Sequence, residues 1–420
     1  MTRVDAPHRR GTNLPAMADF NQSVILDAIR RAAAGLSRVQ LAEATGLSAQ
    51  TISNIVRRLL DAQLVGEAGR EVVGPGKPRT MLRLNPEGRY ALGVHLDPTV
   101  TTTVMLDLVG TVVARDRIPT PLGQEPTAVI EAIARSLDGL ISTSGVARDR
   151  ISGLGIAAPG PIDPDGGTLV DPPHLHGWHR VPLRDALAER SGLPTILDKD
   201  VTAAAIAEIW TGEAAVQRGS FVFLYFGTGI GAGLVIDDEI FRGSLDNSGE
   251  IGHIIVDPAG PECWCGARGC VAVTCTPEAM VREAGALVDG PRAGEEWDTV
   301  RIDAAFSKLS DLADAGDPAA RAVIDRCAVR IARALAVIAN LLDVDRIILG
   351  GPFWPRVHRR FLTIVPAELD RMRVARSIHP VSVAGSRVGQ EVVAIGAASL
   401  VLERGLSPRT QSLLLPSSAP

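Results

Sequence analysis

Cys263, Cys265 and Cys270 fall in one short run, C-W-C-G-A-R-G-C, with His253 a loop upstream. Three thiolates and one imidazole form a closed tetrahedral zinc set of the structural kind. Gly266 and Gly269 supply the tight turns that bring such closely spaced ligands around one ion. The competing reading is that these cysteines are merely buried or paired; the dense, glycine-punctuated C-x-C-G-x-x-G-C spacing favours the metal. A second chemistry shares the segment. Glu250 precedes His253 by three residues, in position to hydrogen-bond a ligand held beside the metal. Gly243 to Cys270 is therefore the stretch around which the chain is organised.

Positioning such a site takes a large framework. A chain of 420 residues, 46% hydrophobic and 22% charged, has the length of two or three compact units and enough apolar content for sizeable cores. Residues 1–20 are polar and broken by Pro7 and Pro15, so a secretory leader is not expected, and the glycine-interrupted apolar run near Phe221 to Ile236 reads as strands and not as a membrane span. Five cysteines, three of them clustered with a histidine, fit a reducing cytoplasm. Cys275 and Cys327 are expected to be buried. The net charge of −5 hides an asymmetry: residues 1–85 carry 12 Lys and Arg against 7 Asp and Glu, the remainder 31 against 41. A basic first module on an acidic body implies a polyanionic partner for the first module alone.

That module has a readable pattern. Helical spacing predicts a helix from Asn21 to about Ala34. Ser37-x-x-Gln40 is a capping box opening a short second helix over Val39 to Ala44. Thr45-Gly46-Leu47 is a turn, and Ser48 caps a third helix with Ile52, Ile55, Val56, Leu59 and Leu60 on one face. Helix, glycine turn, helix is the helix-turn-helix pattern. The opposite face presents Gln50, Thr51, Ser53, Asn54, Arg57 and Arg58. Gln and Asn suit base edges, and the arginines suit phosphates; a plain solvated face is the alternative for any one of them. Two strands around Gly74-Pro75-Gly76-Lys77-Pro78-Arg79 complete a wing whose Lys77 and Arg79 reach the backbone or minor groove.

From Leu92 the texture is α/β. Strands are expected at Leu92–Leu96, Thr102–Leu106, Thr111–Arg115, Ile151–Ala157, Pro194–Leu197, Phe221–Phe226, Ala232–Ile236 and Arg346–Leu349. Helices are expected at Pro126–Ser142, Val201–Trp210, over much of 277–342, and at Val392–Leu402. Gly-Glu-Ile-Gly-His followed by C-x-C-G-x-x-G-C resembles the signature of the ROK family, which contains bacterial sugar kinases and sugar-responsive repressors. The resemblance spans nearly all of 20–403, including the winged helix that the repressors have and the kinases lack. It implies an actin-like two-lobed sugar-kinase (ribonuclease H-like) fold behind the winged helix. The expected divisions are a disordered arm at 1–19, the DNA-binding domain at 20–85, lobe 1 at 86–200 plus 384–404, lobe 2 with the zinc site at 201–383, and a flexible tail at 405–420.

The resemblance also assigns residues. The family's first phosphate loop, D-x-G-G-T, corresponds here to His95-Leu96-Asp97-Pro98-Thr99. Proline removes a backbone donor and Asp97 brings negative charge to an anion site, so nucleotide binding is disfavoured. Gly227-Thr228-Gly229-Ile230-Gly231 matches the second loop and Gly350-Gly351 the adenosine-side turn, although their hairpins alone can require these glycines. On the sugar side, Gly160, Asp200, Glu250 and His253 match pocket residues, with Asp200 the base if the protein were a kinase. The family's asparagine before Asp200 is Lys199, and its glutamate after the last cysteine is Ala272. Lys199 either pairs with Asp200 or Glu250 in a remodelled pocket, or supplies positive charge for an anionic effector.

These readings imply a non-enzymatic regulator, expected to be a repressor. It would bind palindromic double-stranded operator DNA as a homodimer or homotetramer, respond to a sugar or sugar-derived effector, and hold structural Zn2+ on His253, Cys263, Cys265 and Cys270. An active sugar kinase with a fused DNA-binding module is the alternative from another class. A body retained only for oligomerisation is a third.

Overall fold

Ile52, Ile55, Val56 and Leu59 are buried along one face of a helix whose other face is polar, and this stripe nucleates the first part of the molecule. The structure is a computed structural model and describes residues 14–71, 78–121, 125–172, 175, 177–211, 219–292, 295 and 297–407. The chain divides into two compact units. The first is built on the chain up to Tyr90 with Asp107–Thr111 and the segment from Val401, and the second on Ala91–Leu106 and Val112–Leu400.

In the first unit, helix α1 spans Leu14–Arg31, strand β1 Leu36–Ser37, α2 Arg38–Thr45, α3 Ala49–Asp61, β2 Val65–Glu71 and β3 Arg79–Leu84. Ser37 and Gln40 form the expected reciprocal cap: the Gln40 N–H donates to Ser37 Oγ (3.4 Å), and the Ser37 N–H donates to Gln40 Oε1 (2.9 Å). Gly46 ends α2 with φ of 70°, and Ser48 Oγ accepts from the Thr51 N–H at 3.2 Å to start α3. The three strands pair in the order β1-β3-β2, which gives a winged helix-turn-helix. Helix α1 begins at Leu14 and not at Asn21, so part of the stretch expected to be a disordered arm is helical. The wing tip, including Lys77, lies outside the described residues, as do 1–13 and the chain beyond 407.

The second unit holds two five-stranded sheets. Strands β4 (Tyr90–His95), β5 (Val100–Asp107), β6 (Val112–Pro119), β7 (Ile151–Ala158) and, after the small hairpin β8 (Ile162–Asp163) and β9 (Thr168–Leu169), β10 (Thr195–Lys199) are ordered β10-β7-β4-β5-β6. Strands β11 (Phe221–Phe226), β12 (Ile230–Ile236), β13 (Glu239–Ile240), β14 (Arg346–Gly350) and β15 (Ser382–Gly385) are ordered β13-β12-β11-β14-β15. Parallel β11–β14 and β14–β15 pairs and the antiparallel β11–β12 hairpin make the second sheet mixed. Helices α4 (Pro126–Ser144) and α5 (Leu183–Ser191) pack on the first sheet, and α6 (Asp200–Thr211) packs chiefly on β11 and β12. Helices α7 (Val271–Thr274), α8 (Pro277–Ala284), α9 (Thr299–Ala315), α10 (Pro318–Leu342) and α11 (His358–Met372) belong with the second, and α12 (Val392–Leu406) closes the series. Phe226, Phe306, Phe353 and Phe361 interlock in the second core, with ring centroids 5.4–6.4 Å apart.

Glycine and alanine let α12 and α6 approach closely. A Cβ on Gly155 would lie 1.7 Å from the Ala397 carbonyl oxygen, one on Gly93 2.2 Å from that of Ala394, and one on Gly396 1.7 Å from that of Ala203. Helix α6 is buried along almost its whole length, which fixes the position of Asp200 at its first turn. The close approach is testable. Gly155→Ala is expected to lower unfolding stability by about 3 kcal/mol in urea titrations. Gly139→Ala, at an exposed position in α4 with nothing near its Cβ, should leave stability unchanged or raise it by about 0.5–1 kcal/mol.

Candidate functional site

The cysteine loop is shaped by backbone before any side chain acts. Antiparallel bridges join Ile255 to Cys270 and Glu262 to Arg268. Gly266 and Gly269 turn with φ of 88° and 68°, and a Cβ on Gly269 would fall 1.5 Å from the Asp257 carbonyl oxygen. His253, Cys263, Cys265 and Cys270 are thereby gathered with all four donor atoms within 4.8 Å of one another. Cys265 Sγ lies 3.7 Å from Cys270 Sγ, and His253 Nδ1 3.4 Å from Cys263 Sγ. A tetrahedral ion with bonds of ~2.3 Å to sulfur and ~2.0–2.1 Å to nitrogen needs edges of about 3.8 and 3.6 Å, so the set fits such an ion. Burial pushes the Cys270 thiol up to about 12, which is the situation in which a nearby cation is needed to hold a thiolate.

Residues distant in sequence hold this loop. Arg330 on α10 donates to Asp257 Oδ2 (2.8 Å) and Glu283 Oε2 (2.7 Å), and Arg333 donates to the Val256 carbonyl (2.6 Å). Sequence reading did not single out either arginine; their helical spacing on α10 carries no local sign of the partner. Cys275 and Cys327 are both buried, and Cys327 Sγ donates to the Cys275 carbonyl at 3.5 Å. His179 pairs with Asp171 (2.6 Å).

The structure brings Gly160, Lys199 and Glu250 together. Lys199 is 2% exposed, and its Nζ donates to Glu250 Oε1 (2.5 Å), the Ser248 carbonyl (2.9 Å) and the Asn247 carbonyl (3.4 Å). Of the two carboxylates considered for it, Lys199 takes Glu250. A Cβ on Gly160 would lie 2.9 Å from Lys199 Cε and 3.3 Å from Glu250 Oε1, so glycine leaves room for this pair. Two further ties close the same region. Arg242 meets Asp198 at 3.1 Å, and Asn247 both accepts from the Ile162 N–H (2.9 Å) and donates to its carbonyl (2.7 Å). The run Asp198-Lys199-Asp200 was the available signal for these ties.

Asp200 stands at the mouth of this cluster. Part of its surface reaches solvent, yet the packed protein around it strips most of its hydration and pushes the carboxyl up to about 7, with Glu250 and Asp97 adding to the rise and Lys199 opposing it. Asp97 Oδ1 accepts from the Thr99 N–H at 2.8 Å, so the loop that replaces D-x-G-G-T folds onto its own carboxylate. His95 is buried and its pKa is lowered by burial, and its ring meets Tyr225 edge-on at 6.4 Å. Tyr225, the one polar residue in Phe-Val-Phe-Leu-Tyr-Phe, is 3% exposed and its hydroxyl has no hydrogen-bond partner among the described residues. Sequence reading overlooked it, although a lone hydroxyl in an apolar strand was a visible signal.

On α3, Gln50, Asn54, Arg57 and Arg58 are exposed. Gln50 Nε2 and an Arg57 N–H both donate to Asn54 Oδ1, at 3.2 and 3.0 Å, which pre-orders three side chains on one face. Thr51 and Ser53 are half-buried and engaged locally, the first with the Ser48 hydroxyl (2.9 Å) and the second with the Ala49 carbonyl (2.8 Å). They stabilise the helix start and are less free to meet a ligand than the sequence pattern implied. Arg79 opens β3 and is half-buried. Among the described residues, no helix is long and apolar enough to cross a membrane.

A winged helix followed by two five-stranded mixed sheets and a Cys3His loop defines a DNA-binding module on a sugar-kinase-like body. Residues 91–404 match the model described as the ROK family and residues 17–71 the model described as the MarR family. The chain belongs to the ROK family. It is 24% identical over 379 residues to the xylose repressor of Caldicellulosiruptor bescii, covering 89% of this chain and 93% of that protein. It is 32% identical over 267 residues to a glucokinase of Halalkalibacterium halodurans, covering 63% and 80%. Among solved structures it resembles a ROK family transcriptional regulator described as a homolog of the E. coli MLC protein, at TM-score 0.75 and 23% identity over 93% of this chain and 98% of that one.

Two outcomes follow from the geometry. Between about pH 4 and pH 7 the folded state keeps an Asp200 proton that the unfolded chain, at pKa ~3.9, has already lost. Stability should therefore fall as pH rises through that window, and Asp200→Asn should remove that share of the fall, gaining on the native protein between about pH 4 and about pH 7 in urea unfolding. Cys265→Ser should abolish stoichiometric metal in elemental analysis and lower the melting temperature by several degrees, as should a strong chelator on the native protein.

Proposed function

We propose that this protein is a transcriptional repressor of carbohydrate genes whose kinase-like body senses a sugar or sugar derivative and does not phosphorylate it. The observation that carries the reading is the exposed, pre-ordered Gln50-Asn54-Arg57 face on α3 of a winged helix joined to a sugar-kinase-like body. Similarity to proteins named xylose repressor and N-acetylglucosamine repressor, the latter from Escherichia coli at 28% identity over 321 residues, supports it. Asn54 and Gln50 read base edges, while Arg57 and Arg58 bind phosphates. A symmetric dimer or tetramer would present two such helices ~34 Å apart to a palindromic site. The effector acts by binding one body conformation better than the other, which changes the population able to hold DNA. Zinc on His253, Cys263, Cys265 and Cys270 would brace the loop that carries Glu250.

The non-kinase reading is supported by Asp97 and Pro98 standing where the family's loop has glycines. A second reading, an active sugar kinase with a fused DNA-binding module, is favoured by one observation: a retained Asp200 with its carboxyl near 7, a useful value for a general base. An ATP-dependent phosphorylation assay over common hexoses, pentoses and N-acetylhexosamines is expected to give no turnover.

Gel shifts against the protein's own upstream region test the main reading. Arg57→Ala should weaken binding on all sequences and reduce the salt slope by about one, whereas Asn54→Ala should cost ~1–3 kcal/mol on the preferred site only. Absence of any promoter-proximal binding at moderate salt would overturn it.

A further inference from the structure

Asparagine on a recognition helix favours adenine, because its amide oxygen accepts from N6 while its nitrogen donates to N7. That contact needs a free oxygen. On α3 the Asn54 Oδ1 accepts from Gln50 Nε2 at 3.2 Å and from Arg57 Nη2 at 3.0 Å. An amide oxygen has two lone pairs, so both are taken. Chemistry fixes which way the amide turns. A guanidinium has donors only, so the oxygen and not the nitrogen of Asn54 must face Arg57. The Arg57 bond is charge-assisted, and Gln50 adds the i,i+4 partner along the same face.

What this leaves is a set of donors. Asn54 Nδ2 keeps both N–H groups without a partner among the described residues, and Arg57 spends one of its five donors on Asn54. The three side chains are exposed at i, i+4 and i+7, opposite the buried Ile52, Ile55, Val56 and Leu59. They belong to the part of the chain that carries 12 Lys and Arg against 7 Asp and Glu. In the major groove guanine presents two acceptors, O6 and N7. Adenine presents one acceptor beside a donor, thymine one acceptor beside a methyl group, and cytosine a donor alone. An amide that can only donate therefore finds its best edge on guanine, and on adenine one of its N–H groups would oppose the N6 donor.

We propose that Asn54 reads a G·C pair by donating from Nδ2 to guanine, and that Arg57 is the positioning residue that withholds the Asn54 oxygen from adenine. The inference rests on the repressor reading above and narrows it to the base recognised. Removing the Arg57 side chain returns a lone pair to Asn54 Oδ1 and reopens the adenine edge.

Selection of binding sites from a random duplex library by the purified full-length protein tests this, repeated with Asn54→Ala and Arg57→Ala. In the native protein the pair whose preference disappears in Asn54→Ala should be G·C, favoured about tenfold over A·T. Placing 7-deazaguanine there, which lacks the N7 acceptor, should weaken binding of the native protein about three- to tenfold, a readout that needs no variant. In Arg57→Ala the ratio of G·C to A·T at that position should fall about threefold or more, a change that loss of a phosphate contact alone would not produce. Any other pair at that position, no position altered by Asn54→Ala, full affinity with 7-deazaguanine, or an unchanged ratio in Arg57→Ala would overturn the inference and leave the repressor reading standing. If neither the library nor the upstream region yields bound DNA, the repressor reading fails and this inference with it.

Discussion

A lysine ammonium at 2% exposure is the constraint on which the cleft depends. Removing such a charge from water costs several kcal/mol, and only close acceptors offset it. The chain meets that requirement from one loop, with Glu250 and the carbonyls of Asn247 and Ser248 turned toward the end of β10. Once Lys199 is in place, the loop has little freedom. Taking away Glu250 would leave the buried ammonium with only the Asn247 and Ser248 carbonyls as acceptors. The Arg242–Asp198 pair and the two-way Asn247–Ile162 hydrogen bonds work in the same direction, each joining the loop to the first sheet's side of the cleft.

The far end of that loop is held by different forces. After His253 the chain enters the cysteine turn, whose close backbone approach at Gly269 excludes any side chain. Arg330, 13% exposed at its side chain, spans Asp257 and Glu283 and ties the turn to the longest helix of the body. Glu250 therefore ties the buried Lys199 ammonium to a segment that runs on into the four-donor Cys3His loop.

Much of this architecture was legible because it is local. Ser37-x-x-Gln40, Ser48 and the α3 stripe each encode their own structure within a few residues, and the apolar runs that became β7, β11 and β14 stand out by composition. The helix α11 was missed because Pro366 lies inside it and breaks the pattern a helix should show. Strand β15 was missed because it is a short edge strand, half-exposed and paired only to β14. The start of α1 at Leu14 was obscured by Pro15, which is tolerated in the first turn but reads as a breaker. In the site, the cysteine set was legible from spacing alone. The partner of Lys199, the grip of Arg330 and the unpaired Tyr225 hydroxyl depend on contacts between distant segments, and no local pattern specifies those.

The two phosphate-type loops show why a motif and its chemistry must be separated. The first has lost its glycines, and Asp97 now caps its own turn through the Thr99 N–H. The second keeps Gly227-Thr228-Gly229-Ile230-Gly231, which on sequence alone argues for nucleotide. Packing accounts for two of those glycines: a Cβ on Gly227 would lie 2.4 Å from the Tyr225 ring, and one on Gly231 2.6 Å from Val201. The same holds for Gly350 and Gly351, where an added Cβ would meet the Phe223 ring or the Phe226 backbone at 2.6 Å. These positions need glycine whether or not a phosphate ever approaches them. Their presence is therefore neutral on catalysis. Beside the first loop, His95 at the end of β4 meets Tyr225 of β11 edge-on.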